Sequence, residues 1–257
     1  MIRLITTTIL IAIRIPLLII LISAGLLTIL FFPSEIKKFK NVHYKIMMLW
    51  MNFLSNVLGL SLIIKGRPDM TADLFVSNHV TYVDIIIINK LLPVNFIAKD
   101  EIANWPIIGR LASKTGTLFI KRGDINKSQN MITIMRERFK LKNKIIFFPE
   151  GKIGNGSFVK KFHTKLFKSI ENTNLTIQPI AIRYPKNFPD DLSYDEQVSE
   201  KSIDGDMISL YFSIMSKPKS HVILNFLDKI DARDSDISEV SSVLATKINS
   251  SLRELDD

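Results

Sequence analysis

Residues 77 to 84, "SNHVTYVD", place a histidine and an aspartate five positions apart in a polar segment between apolar runs. An imidazole, which ordinarily titrates near pH 6.5, takes a proton from an attacking hydroxyl when a carboxylate holds its tautomer. His79 and Asp84 are therefore a candidate general base and its orienting partner. Because residues five apart do not face each other on a helix, their pairing requires the loop to curl back.

A structural interpretation of the same segment remains open. Thr81 and Asp84 match the capping-box pattern that begins many helices, and Ser77 and Asn78 are ordinary turn residues. On this interpretation the segment only starts a helix, and the histidine has no chemical role.

Three later segments also end predicted strands with residues suited to chemistry. "GTLFIKR" closes with Lys121 and Arg122, where arginine suits a phosphate, although a solvated surface pair also fits a strand end. "IQPIAIRY" contains Pro179, which predicts an edge strand or a bulge. Its apolar residues fit either an acyl channel or plain core.

The segment "FFPEGKIGNG" joins a carboxylate to three glycines. Glu150 follows an apolar strand, and Gly151, Gly154 and Gly156 permit close backbone approach, so their N–H groups could cradle an oxyanion. Asn155-Gly156 is also a routine turn signal.

Together the four segments resemble the glycerolipid acyltransferase family, whose best-known members are 1-acylglycerol-3-phosphate acyltransferases. The matching residues are Asn78-His79-x4-Asp84, Gly116-x-x-Phe119-Ile120-x-Arg122, Phe148-Pro149-Glu150-Gly151 and Ile177-Gln178-Pro179-Ile180. The resemblance covers roughly residues 66 to 231. It implies an α/β acyltransferase fold and transfer of a fatty acyl group from acyl-CoA or acyl-carrier protein to a lysolipid hydroxyl. It implies no metal and no cofactor.

The resemblance also implies roles for individual residues. His79 is the general base, Asp84 orients it, Arg122 binds the acceptor's phosphate, and Glu150 with Gly151 positions the acceptor. The candidate substrate-binding residues are Asn78, Lys121, Arg122, Glu150, Gly151 and Lys152. The resemblance implies that the lipid hydroxyl attacks the thioester directly, which agrees with the absence of cysteine.

One departure from the family pattern concerns the acceptor. The family commonly continues Phe-Pro-Glu-Gly with Thr-Arg, whereas this chain has Lys152 and Ile153. The segments "GNGSFVKKFHTKLF" and "GDM" look more like a bacterial branch that includes lyso-ornithine lipid acyltransferases, whose acceptor has no phosphate. Lysophosphatidic acid is the first expectation, and lyso-ornithine lipid is the alternative.

Composition limits the remaining possibilities. The 257 residues are 47% apolar, and 34 Lys+Arg against 25 Asp+Glu give a net charge of +9, which suits an anionic partner. Without cysteine there is no disulfide framework and no thiolate metal site. The four histidines lack zinc-ligand spacing. A non-enzymatic adaptor that docks on anionic lipid and a nucleic-acid binder are the rival classes.

The N-terminus argues for a membrane and against nucleic acid. Residues 4 to 32 are almost wholly apolar, and their uninterrupted part from Ile15 to Phe32 has 18 residues, near the roughly 20 that cross a bilayer. Arg14 interrupts them, which disfavours a cleaved signal peptide. Basic residues after the segment predict that the domain faces the cytoplasm, and the resemblance to a bacterial branch implies that the membrane is a bacterial inner membrane. These basic residues are Lys37, Lys38, Lys40 and Lys45.

The remaining pattern predicts two regions. Residues 1–64 are a membrane anchor followed by a helix over Tyr44 to Ile64 that lies at the membrane interface or packs against the domain, and residues 65–257 are the acyltransferase domain. In the second region, short apolar runs alternate with helical periodicity, which predicts an α/β sandwich around a parallel or mixed sheet. Lys186 to Ser202 is the longest segment predicted to be irregular.

Overall fold

An eight-stranded sheet with parallel and antiparallel neighbours forms the centre of the fold, and two further strands make a hairpin. The computed structural model describes residues 2–121, 125–233 and 236–256. The strands are β1 (Leu60–Gly66), β2 (Leu74–Ser77), β3 (Val94–Lys99), β4 (Leu118–Ile120), β5 (Lys144–Phe147), β6 (Thr176–Arg183), β7 (Pro185–Asn187), β8 (Asp191–Tyr194), β9 (Ser220–Phe226) and β10 (Ile230–Asp231). The sheet order is β1, β9, β6, β2, β5, β3 and β4, with β10 beside β6.

The direction of the strands brings the predicted site segments to one edge. β2, β3, β4, β5 and β6 run parallel, whereas β9 is antiparallel to β6. β2 lies between β5 and β6, so the loops after these three strands emerge side by side. Sites in α/β sheets form at such carboxyl ends.

Helices cover both faces of the sheet. They are α1 (Ile2–Thr28), α2 (Asn41–Leu58), α3 (Asp84–Leu91), α4 (Ile108–Lys114), α5 (Ile125–Lys140), α6 (Glu196–Ile203), α7 (Met207–Met215) and α8 (Ile237–Arg253). Strand side chains alternate between two cores. Phe75 and Ile146 pack with α2, α3 and α7, and Leu74 and Val76 pack with α5 and α8. The predicted α/β sandwich is therefore confirmed.

The stretch from Tyr44 to Ile64, predicted as one helix, is divided between a helix and a strand. α2 ends at Leu58, and Gly59 adopts a φ of 76°, which glycine reaches without strain. β1 then pairs with β9 along its whole length. A domain boundary after residue 64 would therefore fall within the sheet.

The prediction that Pro179 lies on an edge strand or a bulge is wrong for the edge strand and right for the bulge, because β6 pairs Ile177 with Ile230 and Ile180 with Phe226, a shift of register around Pro179. β6 has β2 on one side and β9 and β10 on the other. The Pro179 carbonyl accepts the Leu227 N–H (3.0 Å) from the loop between β9 and β10. A strand residue directs its N–H and C=O to the same side. The N–H that Pro179 lacks would therefore point toward the loop between β9 and β10, where β6 has no paired strand residue.

The segment from Lys186 to Ser202, predicted to be irregular, contains the β7–β8 hairpin and most of α6. The Asp195 side chain accepts the Gln197 N–H (3.0 Å) and so caps α6. Strands of three and four residues and a helix of eight are too short for hydrophobic periodicity to indicate them.

α1 is long and apolar enough to cross a bilayer, and one of its faces packs on the domain. Arg14 donates to three carbonyl oxygens at the end of α7 and in the loop after it, at 2.6–2.9 Å. Trp50 on α2 donates to the Leu21 carbonyl (2.9 Å). The opposite face exposes large apolar side chains, among them Leu4, Ile5, Ile9, Ile13, Leu17 and Ile20. An exposed apolar face is consistent with membrane association.

Candidate active site

The loop after β2 holds His79 against Asp84 at the start of α3. His79 Nδ1 lies 2.9 Å from Asp84 Oδ2. The backbone N–H groups of Val80 (2.8 Å) and Thr81 (3.1 Å) donate to the same oxygen, so the loop curls around the carboxylate. The predicted pairing of the two side chains is present.

The capping contacts exist beside this pairing. Thr81 Oγ1 accepts the Val83 N–H (3.4 Å), while the Asp84 carboxylate accepts the Thr81 N–H. These reciprocal bonds satisfy donors that the helix start would otherwise leave unpaired. The contacts that open α3 therefore also fix the direction of the Asp84 carboxylate.

The His79 ring is fixed in both tautomer and plane. A carboxylate only accepts hydrogen bonds, so Nδ1 carries the hydrogen and Nε2 keeps its lone pair. Nε2 has no hydrogen-bond partner among the described residues. The ring stacks on Phe148 with centroids 3.9 Å apart and planes 6° apart. The side chain is 15% exposed and lines a cleft, so Nε2 suits a general base.

The second oxygen of Asp84 is held from another strand. The Tyr184 hydroxyl, just after β6, donates to Asp84 Oδ1 (2.8 Å), and both side chains are buried. Burial, followed by the charge of Asp84, raises the pKa of Tyr184 well above its ordinary value, so the phenol stays protonated. Sequence reasoning missed this contact, because a tyrosine after an apolar strand is typical of core.

Glu150 joins the loops after β2 and β5. Its carboxylate accepts the backbone N–H groups of His79 and Lys160, both at 3.2 Å. Burial raises the pKa of Glu150 above its ordinary value, and the two hydrogen bonds offset part of this effect. Glu150 is absent from the described residues that line the cleft, so its contacts are with the loops.

The glycines after Glu150 close the loop upon itself. Gly154 donates to the His79 carbonyl (2.7 Å), and a Cβ there would lie 3.2 Å from Glu150 Oε2. Gly151, with a φ of 73°, donates to the Phe148 carbonyl (3.0 Å). These two N–H groups, predicted to cradle an oxyanion, are therefore bonded within the protein.

The other predicted residues are dispersed. The Asn78 amide exchanges two 2.8 Å bonds with the Ile182 backbone and so joins β2 to β6. Lys121 is exposed after β4 and does not line the cleft, whereas Lys152 does. Arg122 lies outside the described residues.

The cleft has a volume of about 1160 Å³ and two kinds of wall. One is apolar and contains Phe96, Ile97, Ile102, Trp105 and Ile120. The other carries the exposed lysines Lys152, Lys161 and Lys165. Within the described residues, no group of three or more histidine or acidic side chains is placed to hold a metal ion. The cleft suits a substrate with an apolar chain and an anionic group.

Sequence comparison identifies this arrangement. A family model described as Acyltransferase matches residues 67–183, which include His79, Asp84 and Glu150. Residues 67–183 therefore form an acyltransferase domain. As members of this family are enzymes, the interpretations as a non-enzymatic membrane adaptor or a nucleic-acid binder are set aside.

Similar proteins refine the assignment of this acyltransferase. A lyso-ornithine lipid O-acyltransferase of Pseudomonas aeruginosa is 29% identical over 192 residues, 75% of this chain and 72% of that protein. A 1-acyl-sn-glycerol-3-phosphate acyltransferase of Neisseria gonorrhoeae is 28% identical over 195 residues, 73% and 72%. The crystal structure of an LPA acyltransferase from Thermotoga maritima has the same fold, with a TM-score of 0.69, 16% identity, and coverage of 98% and 97%. The enzyme is an acyltransferase of the lysophospholipid type.

Proposed function

We propose that the enzyme moves a fatty acyl group from an acyl thioester to the free hydroxyl of a lysolipid, with His79 as general base and Asp84 as its orienting partner. One observation carries the proposal: the Nδ1 bond to Asp84 leaves Nε2 with a lone pair in a cleft that has an apolar wall. A base so held accepts the proton of a hydroxyl that lies within hydrogen-bond reach.

The acyl group passes from the thioester to the lipid hydroxyl in one direct transfer, and His79 carries the proton. The lipid hydroxyl oxygen attacks the thioester carbonyl carbon while Nε2 of His79 takes the hydroxyl proton. The tetrahedral intermediate then collapses, the C–S bond breaks, and the leaving thiolate takes the proton from the imidazolium. The products are an ester and a free thiol. No covalent enzyme intermediate, metal or cofactor enters these steps.

The developing oxyanion needs donors that the loop has not already used. The backbone N–H groups of Lys152 and Ile153 fit this role, since both residues line the cleft beside Gly151. Neither N–H has a hydrogen-bond partner in the described part of the chain. Preorganised backbone donors in a water-poor site stabilise such charge strongly.

The enzyme works at a membrane surface in this proposal. The apolar face of α1 binds the bacterial inner membrane, with the catalytic domain in the cytoplasm, where acyl-CoA or acyl-carrier protein supplies the acyl group. Membrane lipids surround the anchor, and the lysolipid acceptor enters the cleft from them.

Lysophosphatidic acid is the acceptor that the cleft suits best. Lys152, Lys161 and Lys165 have no carboxylate partner in the described ranges, so they remain able to bind a phosphate. Lyso-ornithine lipid is the second candidate, because Lys152 and Ile153 replace the family's Thr-Arg pair and a relative named for that acceptor is 29% identical.

A side-by-side assay of the two acceptors tests this order. Purified enzyme receives a labelled acyl group on CoA or on carrier protein, with lysophosphatidic acid or lyso-ornithine lipid at equal concentration. We expect a higher kcat/KM for lysophosphatidic acid. A higher value for lyso-ornithine lipid would reverse the assignment, and the two donor arms show which carrier the enzyme uses.

Neutralising one cleft lysine is expected to weaken the binding of lysophosphatidic acid, which carries a phosphate, more than the binding of lyso-ornithine lipid. Lys161→Gln should raise the KM for lysophosphatidic acid by roughly three- to tenfold, about the net contribution of one hydrogen bond, and leave the KM for lyso-ornithine lipid within about twofold. Lys168→Gln is the matched control, since this exposed lysine lies in the same segment but not in the cleft lining. Equal effects of the two substitutions would contradict a phosphate contact at Lys161.

A further inference from the structure

Tyr184 binds the Asp84 carboxylate on the side away from His79. Its hydroxyl donates to Oδ1 (2.8 Å), whereas His79 and the two backbone N–H groups use Oδ2. Within the described residues, Oδ1 has no other hydrogen-bond partner. Tyr184 reaches Asp84 because it follows β6, which pairs with β2. It lies one residue beyond the segment that the family model matches.

This contact decides whether the buried carboxylate is fully satisfied. Asp84 is 0% exposed and Tyr184 is 3% exposed, so water does not replace either partner. A buried carboxylate oxygen without a donor favours rotation of the carboxylate toward another donor. Such a rotation would turn the His79 ring out of its fixed orientation, while the carboxylate charge stays beside the imidazole.

We propose that Tyr184 is a positioning residue of the acyl transfer and acts through Asp84. The hydroxyl keeps the carboxylate turned so that Oδ2 faces His79 Nδ1. The inference rests on the proposed role of His79 as general base. When Nε2 takes the lipid's proton, the imidazolium forms beside an anion whose orientation is already set. The Tyr184 proton itself is not transferred.

Two other titratable groups face this cluster. Glu150, from the loop after β5, accepts the His79 backbone N–H, and burial raises its pKa. Tyr211 on α7 lies near Tyr184, and burial raises the pKa of Tyr211 to about 12, so it stays neutral in the working range. Glu150 is unaltered in every variant below, so pH-dependent differences trace to Tyr184 and Asp84.

Tyr184→Phe removes the hydroxyl and keeps the ring. We expect kcat to fall roughly tenfold, with KM for both substrates within about twofold, because the orientation of the base changes while the cleft does not. The acid limb of kcat/KM should also move to higher pH by roughly a few tenths of a unit. The hydroxyl dipole no longer offsets part of the Asp84 charge, which then stabilises the imidazolium more. A purely structural role would lower the active fraction and leave the limb in place.

Tyr211→Phe is the matched control, because it removes a tyrosine hydroxyl from the same core without touching Asp84. It should keep the wild-type kcat and acid limb. If Tyr184→Phe does not fold, 3-fluorotyrosine at position 184 keeps the hydroxyl as a stronger donor and should move the limb to lower pH. A limb that stays at its wild-type position in the folded variant overturns the inference.

His79→Ala separates this inference from the proposed function. Wild-type turnover in His79→Ala would overturn the general base itself. An inactive His79→Ala together with a Tyr184→Phe variant of wild-type kcat and pH profile would overturn only the role of Tyr184.

Discussion

Replacing His79 with alanine is expected to lower kcat by roughly 10³-fold, within the range that a positioned general base contributes. The substitution removes the Nε2 lone pair, so the lipid hydroxyl attacks the thioester without a base beside it. Asp84→Asn should have a comparable effect, because an amide keeps the shape but does not stabilise the imidazolium. The measurement is the rate of acyl transfer to lysophosphatidic acid in mixed micelles.

The fold of the His79→Ala variant should survive. Asp84 retains three donors, from Val80, Thr81 and Tyr184, and the loss of one hydrogen bond and one ring stack amounts to about 1–2 kcal/mol. His221→Ala, which removes a histidine outside the cleft, should keep wild-type turnover. Undiminished turnover in folded His79→Ala would contradict the mechanism.

Contacts between neighbours in one segment of the site can be predicted from sequence, whereas contacts between residues from different strands cannot. His79 and Asp84 pair because the capping contacts of one short segment bring them together. Phe148 and Tyr184 arrive from two other strands, Tyr184 from 100 positions beyond Asp84. Their approach depends on β5 and β6 flanking β2, which no local pattern specifies.

Glu150 shows a second limit of sequence reasoning. A carboxylate after a strand has the same pattern whether it faces a substrate or a neighbouring loop. Here the bare backbone of Gly154 lets the loop close, and the carboxylate accepts backbone N–H groups. The sequence therefore shows which residue types the segment contains, whereas the direction of the Glu150 side chain depends on packing.

The same division holds for the fold. The alternation of apolar runs and helical periodicity predicts the central sandwich, since each pattern reports a local period. Hydropathy does not predict β1, because its residues continue the apolar character of α2 without a break. Only pairing with β9, some 160 positions away, makes it a strand.

Replacing Arg183 with alanine is expected to destabilise the fold by about 3 kcal/mol, a fall in Tm of roughly 6–12 °C. The guanidinium is 0% exposed at the end of β6. It donates to the carbonyls of Leu192 (3.3 Å) and Leu252 (2.8 Å) and pairs with Asp256, so one side chain joins the hairpin and the end of α8 to the sheet. Alanine loses these bonds and leaves a cavity.

Two substitutions separate the cavity from the charge. Arg183→Met fills most of the volume, so its loss should be smaller, about 1–2 kcal/mol, because the buried charge disappears together with its bonds. Asp256→Asn should cost less than about 1 kcal/mol, since the Asp256 side chain is 40% exposed and hydrates readily. Thermal unfolding of the three purified variants measures the loss of stability in each and so ranks them. A full-sized loss in Arg183→Met would show that the hydrogen bonds of Arg183, and not its volume, hold the end of α8 on the sheet.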